Sequence, residues 1–216
     1  MNIYFYKSED FKTTKWSGGK TTELYIHPPT ANYAACNFDF RISSATVEAA
    51  QSVFTVLPGV SRQLMVLKGS IKVSHKNHHV IQLNKSEIDC FDGNWETSAV
   101  GTCVDFNLMT KGNTEGKISS VCISADKSLN FQLDSICEFL IFYVYEGKLQ
   151  FHFGSEMRNL NQGELMVIQH PINEVVELQS SENCALAVVH IYKKRLSKKH
   201  LFLTARDARF FARNAK

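Results

Sequence analysis

The chain has 216 residues, of which 44% are hydrophobic and 21% are charged. This is the composition of an ordinary globular protein, and the length suffices for the core of one large β domain or two small ones. The formal net charge is +3, but residues 193–216 hold nine Lys or Arg against one Asp. Only this tail is basic, and the mildly acidic body argues against a nucleic-acid-binding domain.

The N-terminal segment and the apolar runs bear on cellular location. Residues 1–10 carry charges and no long apolar core, so we expect no secretory signal. The longest fully apolar run, residues 139–145, has seven residues, whereas a membrane-spanning helix needs about 20. The six cysteines form no CxxC pair, which predicts free thiols in a reducing compartment. We therefore expect a cytoplasmic protein without a membrane partner.

Short strand patterns follow one another along the chain. They are residues 2–6, 24–26, 37–47, 53–56, 63–67, 70–74, 79–83 and 102–109, then residues 118–124, 129–133, 138–145, 148–153, 164–168 and 186–192. A glycine loop at residues 16–23 precedes the second of them, and a polar loop at residues 111–116 separates the halves. Strands with turn signals about every 8 to 12 residues indicate an all-β sandwich or barrel. A helix is predicted only in the basic tail, where Thr204 and Asp207 have capping-box spacing.

The two halves contain similar segments. The first reads VLKGSIKV from Val66 and continues, after a polar turn, with LNKSEI; the second reads VYEGKLQF from Val144 and continues with LNQGEL. Gly69 aligns with Gly147, at an offset of 78 residues. Such internal similarity predicts one β module that occurs twice.

Two predicted strands carry polar residues on one face. Arg41 and Ser43 alternate with apolar residues in the first strand, and Asp105 and Asn107 do so in the second. If both faces look into one barrel, they form a polar pocket in an apolar wall. There a guanidinium can bind a carboxylate through two hydrogen bonds.

The alternative is a structural ion pair. Arg41 or Arg62 would then pair with Asp105 or Glu23 inside the protein, because structural ion networks produce the same sequence pattern. Trp16 is interpreted either as a core residue or as a ring that stacks on a ligand. The candidate ligand-binding residues are Trp16, Glu23, Arg41, Ser43, Arg62, Asp105 and Asn107.

Five blocks of sequence carry a family resemblance. They are Trp16 with its glycine loop and Thr22-Glu23, then FRISSATV at residues 40–47, FTVLPGVSR at residues 54–62, VLKG at residues 66–69 and DFNLM at residues 105–109. In this order, over roughly residues 15–110, the chain resembles the HutD/Ves family of bicupins.

The resemblance implies a fold and a function. It implies two tandem cupin-like β-barrels, at residues 1–112 and 113–192, with the pocket in the first, followed by the tail at residues 193–216. It also implies no known catalytic activity, and a link to histidine utilisation or, in the Ves branch, to stress. We therefore expect a non-catalytic protein that binds a small carboxylate-bearing metabolite. Candidate ligands that follow from the family link are urocanate, formiminoglutamate and formylglutamate.

A metal-independent enzyme, an isomerase or a hydrolase, is the alternative function. Asp105 would act as general base and Arg41 or Arg62 would hold the anionic substrate, although the sequence shows no nucleophile–base pair. The basic tail leaves contact with nucleic acid as a third and weaker interpretation. Homodimer formation is left open.

The histidines do not form the metal motif of a cupin. The chain has no His-x-His, and the adjacent His78 and His79 would point to opposite faces of a strand. With His75 they occupy a predicted hairpin turn, where a surface metal clip is the alternative to plain exposed side chains. We expect no catalytic metal and no cofactor.

Overall fold

The computed structural model describes residues 1–194. These residues form nineteen β-strands and one 3-10 turn (Ser8–Asp10), without an α-helix. The strands are β1 (Asn2–Tyr6), β2 (Lys12–Trp16), β3 (Gly19–His27), β4 (Phe40–Val47), β5 (Gln51–Val53), β6 (Val60–Gly69), β7 (Ile71–His75), β8 (Val80–Leu83), β9 (Ile88–Asp92), β10 (Thr97–Val100), β11 (Cys103–Lys111), β12 (Thr114–Ile123), β13 (Lys127–Gln132), β14 (Phe139–Glu146), β15 (Lys148–Phe153), β16 (Glu156–Asn161), β17 (Leu165–Gln169), β18 (Val175–Ser180) and β19 (Cys184–Lys193). The all-β class is confirmed. The predicted C-terminal helix lies outside the described residues.

The strands form four antiparallel sheets. The first half contains a six-stranded sheet in the order β2-β3-β4-β11-β6-β9 and a four-stranded sheet in the order β5-β10-β7-β8. The second half contains a four-stranded sheet in the order β13-β18-β15-β16 and a five-stranded sheet in the order β1-β17-β14-β19-β12. β1, at the N-terminus, thus pairs with a strand of the second half. Hydrogen bonding among the described strands leaves the sheets open rather than closed into barrels, because no ladder joins the four-stranded sheets to the larger ones.

The six-stranded sheet is covered on both faces. One face packs on the five-stranded sheet through an apolar cluster that includes Phe40 and Phe106 from one sheet and Ile141 and Val189 from the other. The opposite face packs on the four-stranded sheet of its own half through Leu64 and other apolar residues. Because side chains alternate along a strand, each central strand of this sheet contributes to both interfaces.

Two local predictions were wrong. Residues 16–23 are not a loop before a strand, because β2 and β3 are antiparallel neighbours whose ladder runs to the pair Trp16 and Gly19. The glycine pair therefore makes a hairpin turn. The strand predicted at residues 53–56 is β5, Gln51–Val53, since only its three residues pair with β10.

The similar segments of the two halves adopt the same turn. Asn84 donates its backbone N–H to a carboxylate oxygen of Glu87 at 2.7 Å, and Asn161 does so to Glu164 at 2.8 Å. Gly69 and Gly147 have φ of 82° and 74°, in the left-handed region that favours glycine. The predicted repeat is thus confirmed at the level of local structure.

We predict that alanine at either repeat glycine destabilises the protein. A Cβ would lie 2.7 Å from the Thr102 carbonyl oxygen at Gly69 and 2.3 Å from the Asn183 carbonyl oxygen at Gly147. Adding this overlap to the backbone strain, we expect Gly69→Ala and Gly147→Ala each to lower the free energy of unfolding by about 2–3 kcal/mol. Gly112→Ala is the matched control, because φ is also positive there but a Cβ meets nothing. Urea unfolding that ranks all three variants alike would contradict the prediction.

Among residues 1–194, no helix is long and apolar enough to cross a membrane.

Candidate functional site

A cavity of about 710 Å³ opens on the six-stranded sheet, on the face away from the second half of the chain. Arg41 and Ser43 on β4 line its polar part, and the same face of β4 continues with Ala45 and Val47 into the apolar core. All seven candidate ligand-binding residues line the cavity: Trp16, Glu23, Arg41, Ser43, Arg62, Asp105 and Asn107. Their role in ligand binding stays a prediction.

The sheet register places the two arginines on one row. Met109 of β11 faces Arg41 of β4 on one side and Arg62 of β6 on the other. Since neighbouring strands lie about 4.8 Å apart, the two arginine backbones are separated by about 10 Å. Their side chains can therefore approach one small molecule from two sides.

Arg41 is held by protein groups. Its Nε lies 2.6 Å from a carboxylate oxygen of Glu23, and its Nη1 donates a hydrogen bond to the Ser43 hydroxyl at 3.1 Å. The guanidinium carbon lies 4.3 Å from the centre of the Tyr33 ring. For Arg41, the structural ion pair that the sequence left as an alternative is therefore present.

Arg62 has no acidic partner of this kind among residues 1–194. Its guanidinium lies between the rings of Phe54 and Phe91, at 5.1 and 5.0 Å from the ring centres, and it is only 7% exposed. Its Nη1 donates a long hydrogen bond of 3.4 Å to the Thr55 carbonyl oxygen, while its buried Nε has no partner among the described residues. Burial lowers the pKa of Arg62 to about 10. In the described part of the chain, no carboxylate lies within salt-bridge distance of this buried cation.

Asp105 is bound by neutral donors. One oxygen accepts hydrogen bonds from the Ala45 backbone N–H at 3.2 Å and from the Asn107 amide at 2.6 Å. The residue is 3% exposed. Burial raises the pKa of Asp105 to about 7, against the opposing effects of the Ala45 N–H, the charge of Arg62 and the Asn107 amide. An ion pair between Asp105 and an arginine, one of the alternatives that the sequence left open, is absent among the described residues, since neither Arg41 nor Arg62 lies within salt-bridge distance of it.

Two irregularities in the sheet lie beside the acidic residues. The register of β3 against β4 shifts after Glu23, and the register of β6 against β11 shifts before Asp105. Such bulges redirect side chains and are frequent next to functional sites. Here they bring both carboxyl groups to the cavity face.

Several residues in or next to the cavity wall were not predicted from the sequence. Tyr33 lies outside the strands, where no periodicity indicates which way a side chain points, and Phe54 follows the end of β5 although the sequence predicted a strand at residues 53–56. Phe91 lies on β9 with its ring next to the Arg62 guanidinium, and in the sequence it is not distinguishable from an ordinary core residue. Trp16 was found from the sequence; it is 39% exposed at the cavity wall, where a ligand can reach its ring.

One family model and several solved structures match the chain. The HutD family model matches residues 8–187, well beyond residues 15–110 that carried the resemblance in sequence. No curated protein matches the chain. Among solved structures, the conserved protein PA5104 from Pseudomonas aeruginosa PAO1 is 16% identical with a TM-score of 0.75, and HutD from Pseudomonas fluorescens SBW25 is 15% identical with a TM-score of 0.69. Each alignment covers 90% of this chain and 100% of the other.

More distant structures define the fold class. An oxalate decarboxylase from Bacillus subtilis is 8% identical with a TM-score of 0.64, over 88% of this chain and 77% of the other. At this identity the likeness concerns the fold alone, and it makes the fold cupin-like. With a family model that spans most of its length, the chain belongs to the HutD family.

Proposed function

We propose that the protein binds a small carboxylate-bearing metabolite in the cavity and acts as a sensor or modulator rather than as a catalyst. The observation that carries the proposal is Arg62, a buried guanidinium that forms no ion pair with an acidic side chain of residues 1–194. An unpaired buried charge costs several kcal/mol, and a bound anion would remove that cost. The buried Nε also needs an acceptor, which a ligand oxygen can supply.

The surroundings favour a carboxylate over a bulkier anion. The guanidinium offers parallel N–H groups that match the two oxygens of a carboxylate. Asn107 and Ser43 lie on the same sheet face and can orient the remainder of the ligand. The volume of about 710 Å³ is within the range of about 300–1,000 Å³ that is usual for small-molecule sites. Trp16 and Tyr33 add aromatic surface for a flat or extended ligand.

The family link narrows the candidates to acids of histidine catabolism. Urocanate, formiminoglutamate and formylglutamate each carry at least one carboxylate. In this role the protein would respond to an intermediate and modulate histidine utilisation, or a stress response if it follows the Ves branch. The proposed setting is the cytoplasm.

Isothermal titration calorimetry with the three acids tests the proposal. We expect one of them to bind with one molecule per chain and an affinity that falls in Arg62→Ala and, to a smaller extent, in Arg41→Ala. Urocanamide, which retains the ring but has no carboxylate, is the matched control and should bind far more weakly. Absence of binding by the folded protein, or binding that both variants leave unchanged, would refute the proposal.

The second candidate function is metal-independent catalysis, which one observation favours. A carboxyl group whose pKa is near 7 is suited to act as a general base at neutral pH, and the pKa of Asp105 is raised to about 7. Incubation of the protein with each acid, followed by NMR of the mixture, distinguishes the functions. Turnover that disappears in folded Asp105→Asn would establish the enzyme; unchanged ligand would favour the binding protein.

A further inference from the structure

A second polar cluster lies outside the cavity, where the β7–β8 hairpin meets β9. His75 ends β7, His79 precedes β8, and Asp89 lies on β9. The side chain of His75 is fully buried, that of Asp89 is nearly so, and that of His79 is 40% exposed. The sequence placed the two histidines in an exposed turn and did not connect them with Asp89. The turn prediction was wrong for His75, which is the last residue of β7 and is buried.

Both imidazole rings point at the same carboxylate. Nε2 of His75 lies 2.7 Å from one oxygen of Asp89, and Nε2 of His79 lies 3.1 Å from the other. The three potential ligand atoms lie within 4.8 Å of one another. One nitrogen from each histidine and one carboxylate oxygen of Asp89 are thus close together. Solvent can reach them on the side of His79, which is partly exposed.

Both ring nitrogens of His75 have a polar neighbour. Nδ1 lies 2.8 Å from the Thr97 hydroxyl, whose oxygen also lies 3.2 Å from the Trp95 carbonyl oxygen. Nε2 lies 2.7 Å from the Asp89 carboxylate. A ring that donates its Nδ1 proton to Thr97 leaves the lone pair of Nε2 available for a cation that the Asp89 carboxylate can share.

We propose that His75, His79 and Asp89 bind a divalent transition-metal ion of the Zn²⁺ class. Two imidazoles and one carboxylate are a common ligand set for such ions, with a fourth position for water. Thr97 completes the arrangement, because metal-bound histidines usually donate their other N–H to a nearby oxygen, which orients the ring. Mg²⁺ and Ca²⁺ are disfavoured, since they require mostly oxygen ligands.

Binding requires only a small adjustment. Tetrahedral ligands at about 2.05 Å from Zn²⁺ lie about 3.3 Å from one another, so the closest pair must separate slightly and the most distant pair must approach. The ion would join the β7–β8 hairpin to β9.

The proposed site lies close to the cavity. The His75 ring lies 4.6 Å from the ring of Phe91, and the Arg62 guanidinium lies 5.0 Å from the centre of the same Phe91 ring.

Cobalt absorption spectroscopy tests the site on the full chain, prepared without a histidine tag and freed of metal with a chelator. We expect one Co²⁺ per chain with visible d–d bands of tetrahedral intensity, displaced by one equivalent of Zn²⁺ and not by excess Mg²⁺. Asp89→Asn and His79→Gln should each weaken Zn²⁺ binding by at least about 100-fold, and Thr97→Val by about tenfold.

His78→Gln is the matched control. His78 lies on the same hairpin, but its ring stacks on Trp95 at 3.7 Å, so its loss should leave Zn²⁺ affinity within twofold. Because His79 is partly exposed, His79→Gln should fold even if His75 variants do not. Absence of Co²⁺ bands from the folded wild type would overturn the proposal and leave hydrogen bonds between the two histidines and Asp89. Binding that survives in Asp89→Asn, or that shows thiolate charge-transfer bands, would overturn it as well.

Discussion

Replacement of Arg62 by methionine is expected to weaken binding of the carboxylate ligand by at least about 100-fold. Methionine keeps an unbranched apolar side chain between Phe54 and Phe91 but removes the charge and the donors. Each hydrogen bond to a charged group contributes about 1.5–3 kcal/mol, so the loss of two amounts to about 3–6 kcal/mol. Calorimetry with the acid that the wild type binds measures the change directly.

The same substitution should not destabilise the free protein. Without ligand, Arg62 is a buried cation that forms no ion pair with a carboxylate of residues 1–194, and its replacement by an apolar side chain of similar length is expected to be neutral or stabilising. Urea unfolding of Arg62→Met in the absence of ligand tests this. If Arg62 instead served mainly to stabilise the fold, Arg62→Met would lose stability and bind the ligand as the wild type does. That result would contradict our interpretation of the site.

Two other arginines serve as controls for this experiment. Arg158→Met removes an exposed guanidinium on β16 that pairs with Glu156, and it should alter neither binding nor stability appreciably. Arg41→Met should weaken binding by about tenfold, less than Arg62→Met, because Arg41 already pairs with Glu23. If Arg41 proved the more important of the two, the ligand would have to displace Glu23.

Asp105→Asn is expected to stabilise the protein by up to about 4 kcal/mol at pH 8 and to change its stability little at pH 4. In the unfolded chain this carboxyl has a pKa near its ordinary value of 3.8, whereas burial raises the pKa to about 7 in the folded protein. The folded state therefore holds more protons between these values, and wild-type stability falls as pH rises from about 4 to about 7. Asparagine has no such titration and retains an oxygen for the Ala45 N–H. Each unit of pKa difference corresponds to about 1.36 kcal/mol.

Urea unfolding at several pH values between 4 and 8 checks this prediction. The wild type should lose stability across the range relative to Asp105→Asn, while Asp126→Asn, at an exposed turn, should parallel the wild type. Parallel curves for all three proteins would mean that Asp105 ionises normally.

Ligand binding should follow the same titration. An ionised Asp105 repels a bound anion, so affinity should fall as pH rises through about 7 in the wild type and stay level in Asp105→Asn.

The amino-acid sequence by itself determined the all-β class, the repeat and the family. The alternation of polar and apolar residues placed Arg41 with Ser43, and Asp105 with Asn107, on shared strand faces, because side-chain direction along a strand follows directly from residue spacing. The repeat was readable for a similar reason, since turn residues such as Gly69 and Gly147 report local backbone conformation.

Only the tertiary structure decided which groups meet. It paired Arg41 with Glu23, left Arg62 between two aromatic rings, and brought Asp89 to His75 and His79. The first contact joins two paired strands, β3 and β4, and the last joins the β7–β8 hairpin of one sheet to β9 of another. The rings around Arg62 come from β9 and from outside the strands. Local periodicity carries no information about such contacts, because they depend on sheet register and on which layers pack together. The sequence therefore specifies the face on which a side chain lies, and the packing of the sheets determines its partners.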